Sequence, residues 1–223
     1  MSDRGSLSLC PLNRVLSPPL NLIPPNTPPR LFSAAVEHFT SIPWCADLLL
    51  AESPTAAISF IPQCFNPASD RHDQFVGATL ATPRALRHML CFFRPDDARH
   101  LRDPARPVTR VSALFALGEG LCGYEALLHG GMTTTMVDET LGVINELNTA
   151  LGKTGSLYAA SSVTASLNIK FLRPIPAEGE VCVTAWVEGV EGRKTLMKAE
   201  VTGPEGEKMA VAESVWVAVK PKI

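Results

Sequence analysis

His129-Gly130-Gly131-Met132-Thr133-Thr134-Thr135-Met136-Val137-Asp138-Glu139-Thr140-Leu141-Gly142-Val143-Ile144-Asn145-Glu146-Leu147 is the stretch on which the fold turns. Two glycines open it, and a helix is expected from Met132 to about Leu147. Met132, Met136, Val143 and Leu147 recur on one face, and Val137, Leu141 and Ile144 widen that face into a stripe able to pack on a sheet. Beside it runs a narrower line of small or polar residues, comprising Gly131, Thr134 or Thr135, Asp138, Gly142 and Asn145. Glu139 follows Asp138 in sequence but points about 100° away at ~3.6 residues per turn, so the two acids are not expected to act as a close pair.

On either side of this helix the pattern changes to alternation. Ala85–Phe93 and Val108–Leu117 read as strands before it, and Ser162–Leu172, Val181–Val187, Thr195–Thr202 and Ala210–Val219 read as strands after it. The later four are separated by short turns built on Arg173-Pro174, Glu188-Gly189 to Gly192, and Gly203-Pro204-Glu205-Gly206. Such spacing implies antiparallel neighbours. One long helix and about six antiparallel strands make an α+β layout, with the sheet wrapped around a single central helix in the hotdog arrangement.

Three segments follow from composition. Residues 1–30 hold seven prolines, which remove backbone donors and disfavour helix, so an extended or disordered segment is expected, or one draped over the domain. Residues 31–83 read as a helical and irregular extension. One or two short helices broken at Pro43 are expected there, with Ser33 or Ser41 as caps, and residues 53–83 are expected to be irregular. Residues 84–223 form the main domain. The formal net charge of −2 supplies no basic field for a nucleic-acid backbone. No run approaches the ~20 apolar residues of a membrane span. The six cysteines are scattered without metal or redox spacing and are expected to be free thiols; no metal site is expected. Without a compact apolar signal region the cytosol is the default, and Arg4, Arg14 and Arg30 among serines and leucines leave an organelle transit peptide as the alternative.

The chemistry centres on the start of the helix. Glycines there permit close approach, and the first backbone N–H groups of a helix lack internal partners, so they can polarise a carbonyl and hold a developing oxyanion. Taken singly, a Gly-Gly turn, a mid-helix acid or a lone histidine is more often structural. Taken together, His129-Gly130-Gly131 followed by an acid nine positions after the histidine resembles the signature of hotdog acyl-CoA thioesterases of the PaaI-like and THEM-like kind. The run Val163 to Pro176 resembles that family's strand into an Arg-Pro turn, and Val190 to Lys194 resembles its hairpin near the coenzyme A phosphates. The likeness extends over roughly residues 85–220. More weakly, the segment around His38 to Trp44 is similar to the N-terminal extension of fungal relatives.

That resemblance implies roles position by position. Asp138 corresponds to the carboxylate that activates water or attacks the thioester. Gly131 corresponds to the backbone donor to the carbonyl, with Gly130 beside it, and His129 to the histidine that shapes the loop. Thr164 corresponds to a hydroxyl that helps place the water. Lys170 and Leu172 correspond to positions lining the coenzyme channel, and Arg193 and Lys194 to a pair near its phosphates. No cofactor is implied beyond coenzyme A or phosphopantetheine as part of the substrate. A homodimer or homotetramer is implied, because the helix of one subunit faces the donor loop of another in this family. Leu172 stands where relatives often carry a basic residue, which makes a thioester on an acyl carrier protein of a polyketide synthase a second candidate, released by hydrolysis or ring closure. A third reading, a non-catalytic acyl-binding module, has no need for the acid at that spacing.

Overall fold

The computed structural model describes residues 13–51, 55–155 and 162–219. Its centre is α3, Gly130–Ala150, longer at both ends than the expected helix. All seven apolar residues of the predicted stripe are buried, together with Thr133, Thr140 and Asn148. The polar three are tolerated because their groups are satisfied. Thr140 Oγ1 donates to the Met136 carbonyl. Asn148 accepts from the Val108 N–H at 2.7 Å and donates to the Val108 carbonyl at 2.8 Å, which ties the end of α3 to the chain entering the sheet.

Around α3 curves an antiparallel sheet in the order β1-β2-β3-β7-β8-β9-β6. Its strands are β1 (Ile58–Phe60), β2 (Leu86–Phe93), β3 (Arg110–Leu117), β6 (Ser162–Phe171), β7 (Gly179–Glu191), β8 (Lys194–Thr202) and β9 (Lys208–Ala218). A separate two-stranded ribbon joins β4 (Cys122–Tyr124) to β5 (Leu127–Leu128) just ahead of α3. The six expected strands are present, and β1 is a seventh, lying within the stretch read as irregular. Three residues carry no legible alternation, so β1 is defined by its pairing with Phe93, Phe92 and Cys91 of β2. Strand β7 also runs four residues further than expected, through Glu188–Glu191. The hairpin needs only two turn residues between Glu191 and Lys194, and Gly192 supplies a left-handed φ of +62°.

The N-terminal extension belongs to the same core. Helices α1 (Leu31–Thr40) and α2 (Pro43–Leu50) bury Ala35, Phe39, Cys45 and Leu49. Pro43 opens α2 at its first position, where a missing N–H costs nothing. Neither expected serine caps a helix N-terminus. Arg30 and Ile42 occupy those positions, while Ser41 ends α1. Upstream, Val15 and Leu16 are buried and Leu16 pairs with Ile61. Arg14 is buried beside Asn66, donating to its side-chain oxygen and its carbonyl at 3.1 Å each. From residue 13 onward, then, the proline-rich segment is strapped onto the domain. Cys45, Cys64, Cys91 and Cys182 are buried free thiols and Cys122 is exposed; Cys10 lies outside the described residues. Among the described residues no helix is long and apolar enough to cross a membrane.

Candidate active site

Helix α3 presents its small and polar line to β6 and β9. Asp138 is half-buried and accepts a hydrogen bond from Thr164 Oγ1 at 2.7 Å. One turn on, Gly142 lies under the indole of Trp216, which is paired with Thr164 across β6 and β9. A Cβ on Gly142 would stand 3.1 Å from Trp216 Cη2, so glycine is what lets the ring lie this close. Farther along, Asn145 donates to Ser162 Oγ. The line predicted from helical spacing is therefore real, and its partners are strand residues far away in sequence.

The His129-Gly130-Gly131 turn caps the same helix. His129 is the N-cap, and its Nδ1 accepts from the Gly131 N–H at 2.9 Å. The Gly131 donor is thus engaged by the histidine beside it. The Gly130 N–H makes no backbone hydrogen bond among the described residues. Both glycines are exposed and adjoin a cleft of about 690 Å³ lined by Tyr124, Leu127, His129, Gly130, Phe171 and Leu172, among others. Tyr124, Leu127, Phe171 and Leu172 are exposed apolar or aromatic side chains, so the mouth of this cleft is greasy. Asp138 does not line it. Seven residues separate Gly131 from Asp138, roughly 10.5 Å along the helix at ~1.5 Å per residue.

The remaining predicted residues separate by face and by end. In β6, Thr164, Leu167, Ile169 and Phe171 share the helix side of the sheet, with Ala212, Ser214 and Trp216 opposite them in β9. Lys170 lies on the other side, in a groove of about 390 Å³ with Asn168, Trp186, Lys198 and Glu213. Strand alternation puts it there: Lys170 and Thr164 lie on opposite sides of a bulge between Thr164 and Ser166 that changes the register. Leu172 lies in the His129 cleft. Arg193 and Lys194 occupy the β7–β8 turn. There Arg193 donates to the Ala218 carbonyl at 3.2 Å and Lys194 pairs with Val217, one row from Trp216 and Thr164. So the structure brings Asp138 together with Thr164, and His129 with Gly130, Gly131 and Leu172. It places the basic pair at the Asp138 end and Lys170 on the outer face.

Glu139 faces another environment. The segment around Gln63–Phe65 lies against α3 there. Burial pushes the Glu139 carboxyl up to about 7; its hydrogen bond with the Cys64 thiol opposes this, while the charges of Asp138 and Asp73 add to it. Glu146, two turns on, is pushed up to about 8 by burial and by the charge of Glu139, against the Gln63 N–H that donates to its Oε2 at 3.1 Å. Sequence reasoning assigned neither acid a role and passed over Trp216. The signal for Trp216 was Gly142, a glycine inside a helix with no turn to make.

A sequence profile described as the thioesterase superfamily matches residues 126–210, from just before the His129 turn through β8 to the start of β9. The matched stretch is similar to that superfamily. Over 169 residues the chain is 28% identical to verlamelin biosynthesis protein B of Lecanicillium sp., covering 65% of this chain and 71% of that protein. Over 111 residues it is 32% identical to the acyl-coenzyme A thioesterase THEM4 of Bos taurus, covering 50% of this chain and 41% of that one. The chain thus spans less than half the length of THEM4. Among solved structures, the E. coli PaaI protein from the phenylacetic acid degradation operon aligns over 50% of this chain and 77% of its own, at 15% identity and a TM-score of 0.43. The matched stretch contains the turn, the acid on α3 and Thr164.

Proposed function

We propose that this protein hydrolyses an acyl thioester in a site shared between two copies of the chain. The observation that carries the reading is the contact of Asp138 with Thr164 on the open flank of α3, in a thioesterase domain. Asp138 takes a proton from water as the water oxygen attacks the carbonyl carbon, or attacks that carbon itself. Thr164 orients the carboxylate. The negative charge gathering on the carbonyl oxygen is met by N–H groups of the His129-Gly130-Gly131 turn. On the water route, collapse breaks the C–S bond, the thiolate takes the proton held by Asp138, and the acid is released. On the nucleophilic route, collapse expels the thiolate and leaves an acyl–Asp138 anhydride, which water cleaves to release the acid, restore the carboxylate and supply the thiol's proton. The Gly131 N–H reaches the carbonyl only once His129 Nδ1 shares or yields it, whereas the Gly130 N–H is already unclaimed.

Two features support a shared site. Within one chain the turn and Asp138 are about 10 Å apart along α3, too far to act on one carbonyl. Strand β6 is also a free sheet edge, flanked by the exposed side chains Val163, Phe171 and Leu172, and an open edge of this kind pairs readily with another strand. A second copy laid along β6 brings its own turn towards this Asp138. Arg193 and Lys194 are then available to the phosphates of a coenzyme A substrate.

The carrier of the acyl group has two readings. THEM4, similar over the thioesterase domain, is an acyl-coenzyme A thioesterase by name, which favours coenzyme A. The relative named for verlamelin biosynthesis and the apolar cleft at Leu172 favour release of a chain from a biosynthetic carrier protein. Steady-state hydrolysis of an acyl-CoA panel, set beside the same acyl groups on a phosphopantetheinylated carrier protein, separates them. Hydrolysis is expected to disappear in Asp138→Asn; wild-type turnover in that variant would overturn the assignment. The shared site is tested by mixing two inactive variants, Asp138→Asn and Gly131→Pro, after subunit exchange. Recovery of a fraction of activity is expected, and persistent inactivity in demonstrated mixed dimers would rule sharing out.

A further inference from the structure

The N-terminal extension encloses a second cavity, of about 700 Å³, and neither the His129 turn nor Asp138 nor Thr164 lines it. Small-molecule sites span roughly 300–1,000 Å³ and are mostly apolar with a few placed polar groups. Here Leu31 and Ala34 of α1 supply apolar wall, together with Phe65, Pro67, Ala81 and Pro83. The titratable side chains in the lining are Arg30, Arg87 and His88, and no carboxylate is among them. The walls are held in place. Buried Arg14 donates to the carbonyls of Pro25, Asn66 and Pro67, which ties the proline-rich strap to the opposite wall. Gly77 packs so tightly that a Cβ there would stand 2.6 Å from the Cys64 carbonyl oxygen and 2.7 Å from Pro67 Cδ.

Strand β2 turns two consecutive residues into this space. Regular alternation would send Arg87 and His88 to opposite faces. A bulge intervenes: Leu86 pairs with Leu117 and His88 with Ala116, and Arg87 is the extra residue between them. Among the described residues the Arg87 side chain makes no hydrogen bond. Its ion pair with Glu180 is 4.0 Å long, and Glu180 already meets His38 at 3.1 Å. The His88 ring is stacked on His38 with centroids 4.6 Å apart. Burial, then the neighbouring His38 and Arg87, lowers the His88 pKa, so an uncharged imidazole stands beside a guanidinium. Arg30, by contrast, is exposed and paired with Glu37 at 2.8 Å. We propose that this cavity is a fatty-acid site: the carboxylate accepts hydrogen bonds from Arg87 and His88, and the alkyl chain lies along Leu31, Ala34 and Phe65. A guanidinium and a carboxylate make strong charge-assisted hydrogen bonds, and the apolar walls remove the chain from water. A small inorganic anion would leave those walls wet. The site lies apart from the hydrolytic one, and the inference does not rest on the thioesterase reading.

The test uses the full chain and dodecanoate below its micellar concentration, with dodecanol and acetate as probes that lack the charge and the chain. In isothermal titration dodecanoate is expected to bind at least about tenfold more tightly than either, the worth of a charge-assisted hydrogen bond or of a few buried methylenes. Arg87→Gln is expected to weaken dodecanoate by about tenfold, and Ala34→Trp, which fills the cavity, to abolish its binding there. A second readout needs no variant. Dodecanoate carrying a diazirine at its chain end, photolysed with the wild type, is expected to label peptides from residues 28–34 or 65–83, and excess dodecanoate is expected to suppress that label. Label confined to the His129 cleft would mean a hydrolysis product in the other site and would overturn the proposal. So would equal affinity for dodecanoate and dodecanol, or no dodecanoate binding at all. Label at 28–34 or 65–83 that coenzyme A displaces and dodecanoate does not would assign the cavity to a phosphate-bearing ligand and end the fatty-acid reading.

Discussion

Asp138 and Glu139 are neighbours on one helix and carry the same chemical group, yet they live in different surroundings. Asp138 lies half-open towards β6 and accepts from Thr164 at 2.7 Å. Glu139 is turned towards the Gln63–Phe65 segment and Cys64, with Glu146 two turns further on, and burial raises both glutamic acids to about 7 and about 8. The difference shows what the N-terminal extension does. It packs Gln63–Phe65 against one flank of α3 and makes the acids there hard to ionise, while Asp138, on the flank facing β6, is held by Thr164. The carboxylate held by Thr164 and the carboxyl beside Cys64 are kept apart by about 100° of helix.

The contrast is broken most severely at Asp138. Asp138→Asn is expected to lower kcat by about a thousandfold or more, within the range for loss of a general base or a nucleophile, with the melting temperature close to wild type. Glu139→Gln is expected to keep kcat within about twofold, because its carboxyl meets Cys64 and not Thr164. Equal losses in the two variants, measured in the same acyl-CoA assay, would erase the distinction.

A smaller effect is expected at Thr164. Thr164→Val removes the hydrogen bond to Asp138 and keeps the branched shape, so kcat is expected to fall by about tenfold with little change in KM. Thr164→Ser is expected to restore most of it. A loss in KM alone would make Thr164 a binding contact and not a positioning one.

The covered flank gives the smallest effect, seen in stability. An acid whose folded value lies above its unfolded value binds more protons folded than unfolded in the interval between the two, so stability falls as pH rises through that interval. For Glu139 and Glu146 the interval runs from the ordinary glutamate value, 4.5, to about 7 and about 8. Their contribution is complete below pH 4.5 and lost above pH 8. Glu146→Gln keeps an acceptor for the Gln63 N–H and removes the charge. It is expected to raise the melting temperature by a few degrees at pH 8 and by clearly less at pH 5. A gain of the same size at both pH values, in paired thermal melts, would mean that ionisation is not the cause.

Legibility followed the physics of each feature. The α3 stripe was readable because seven apolar residues repeat at helical spacing, and all seven are buried. The six longer strands were readable because alternation and turn residues are local signals. Strand β1 was not, since three residues joined to β2 by pairing alone leave no period. The site was half legible. His129-Gly130-Gly131 and Asp138 stand out by type and spacing, but the His129 bond to the Gly131 N–H depends on the turn closing. The face on which Lys170 falls depends on where β6 bulges. Trp216 lies 78 residues beyond Asp138, and no local pattern connects them.

By itself, then, the sequence determined the helix, the alternating strands, the mid-helix acid behind a glycine turn and the glycine left inside that helix, because each is written within a few residues and obeys a helical or strand period. Tertiary structure alone decided which flank of α3 stays open, which strand supplies the hydroxyl to Asp138, that the proline-rich segment and its helices complete the core, and that an indole with an unpaired N–H lies on Gly142. Those outcomes depend on sheet order and on contacts between residues tens of positions apart, and such contacts leave no period in the chain.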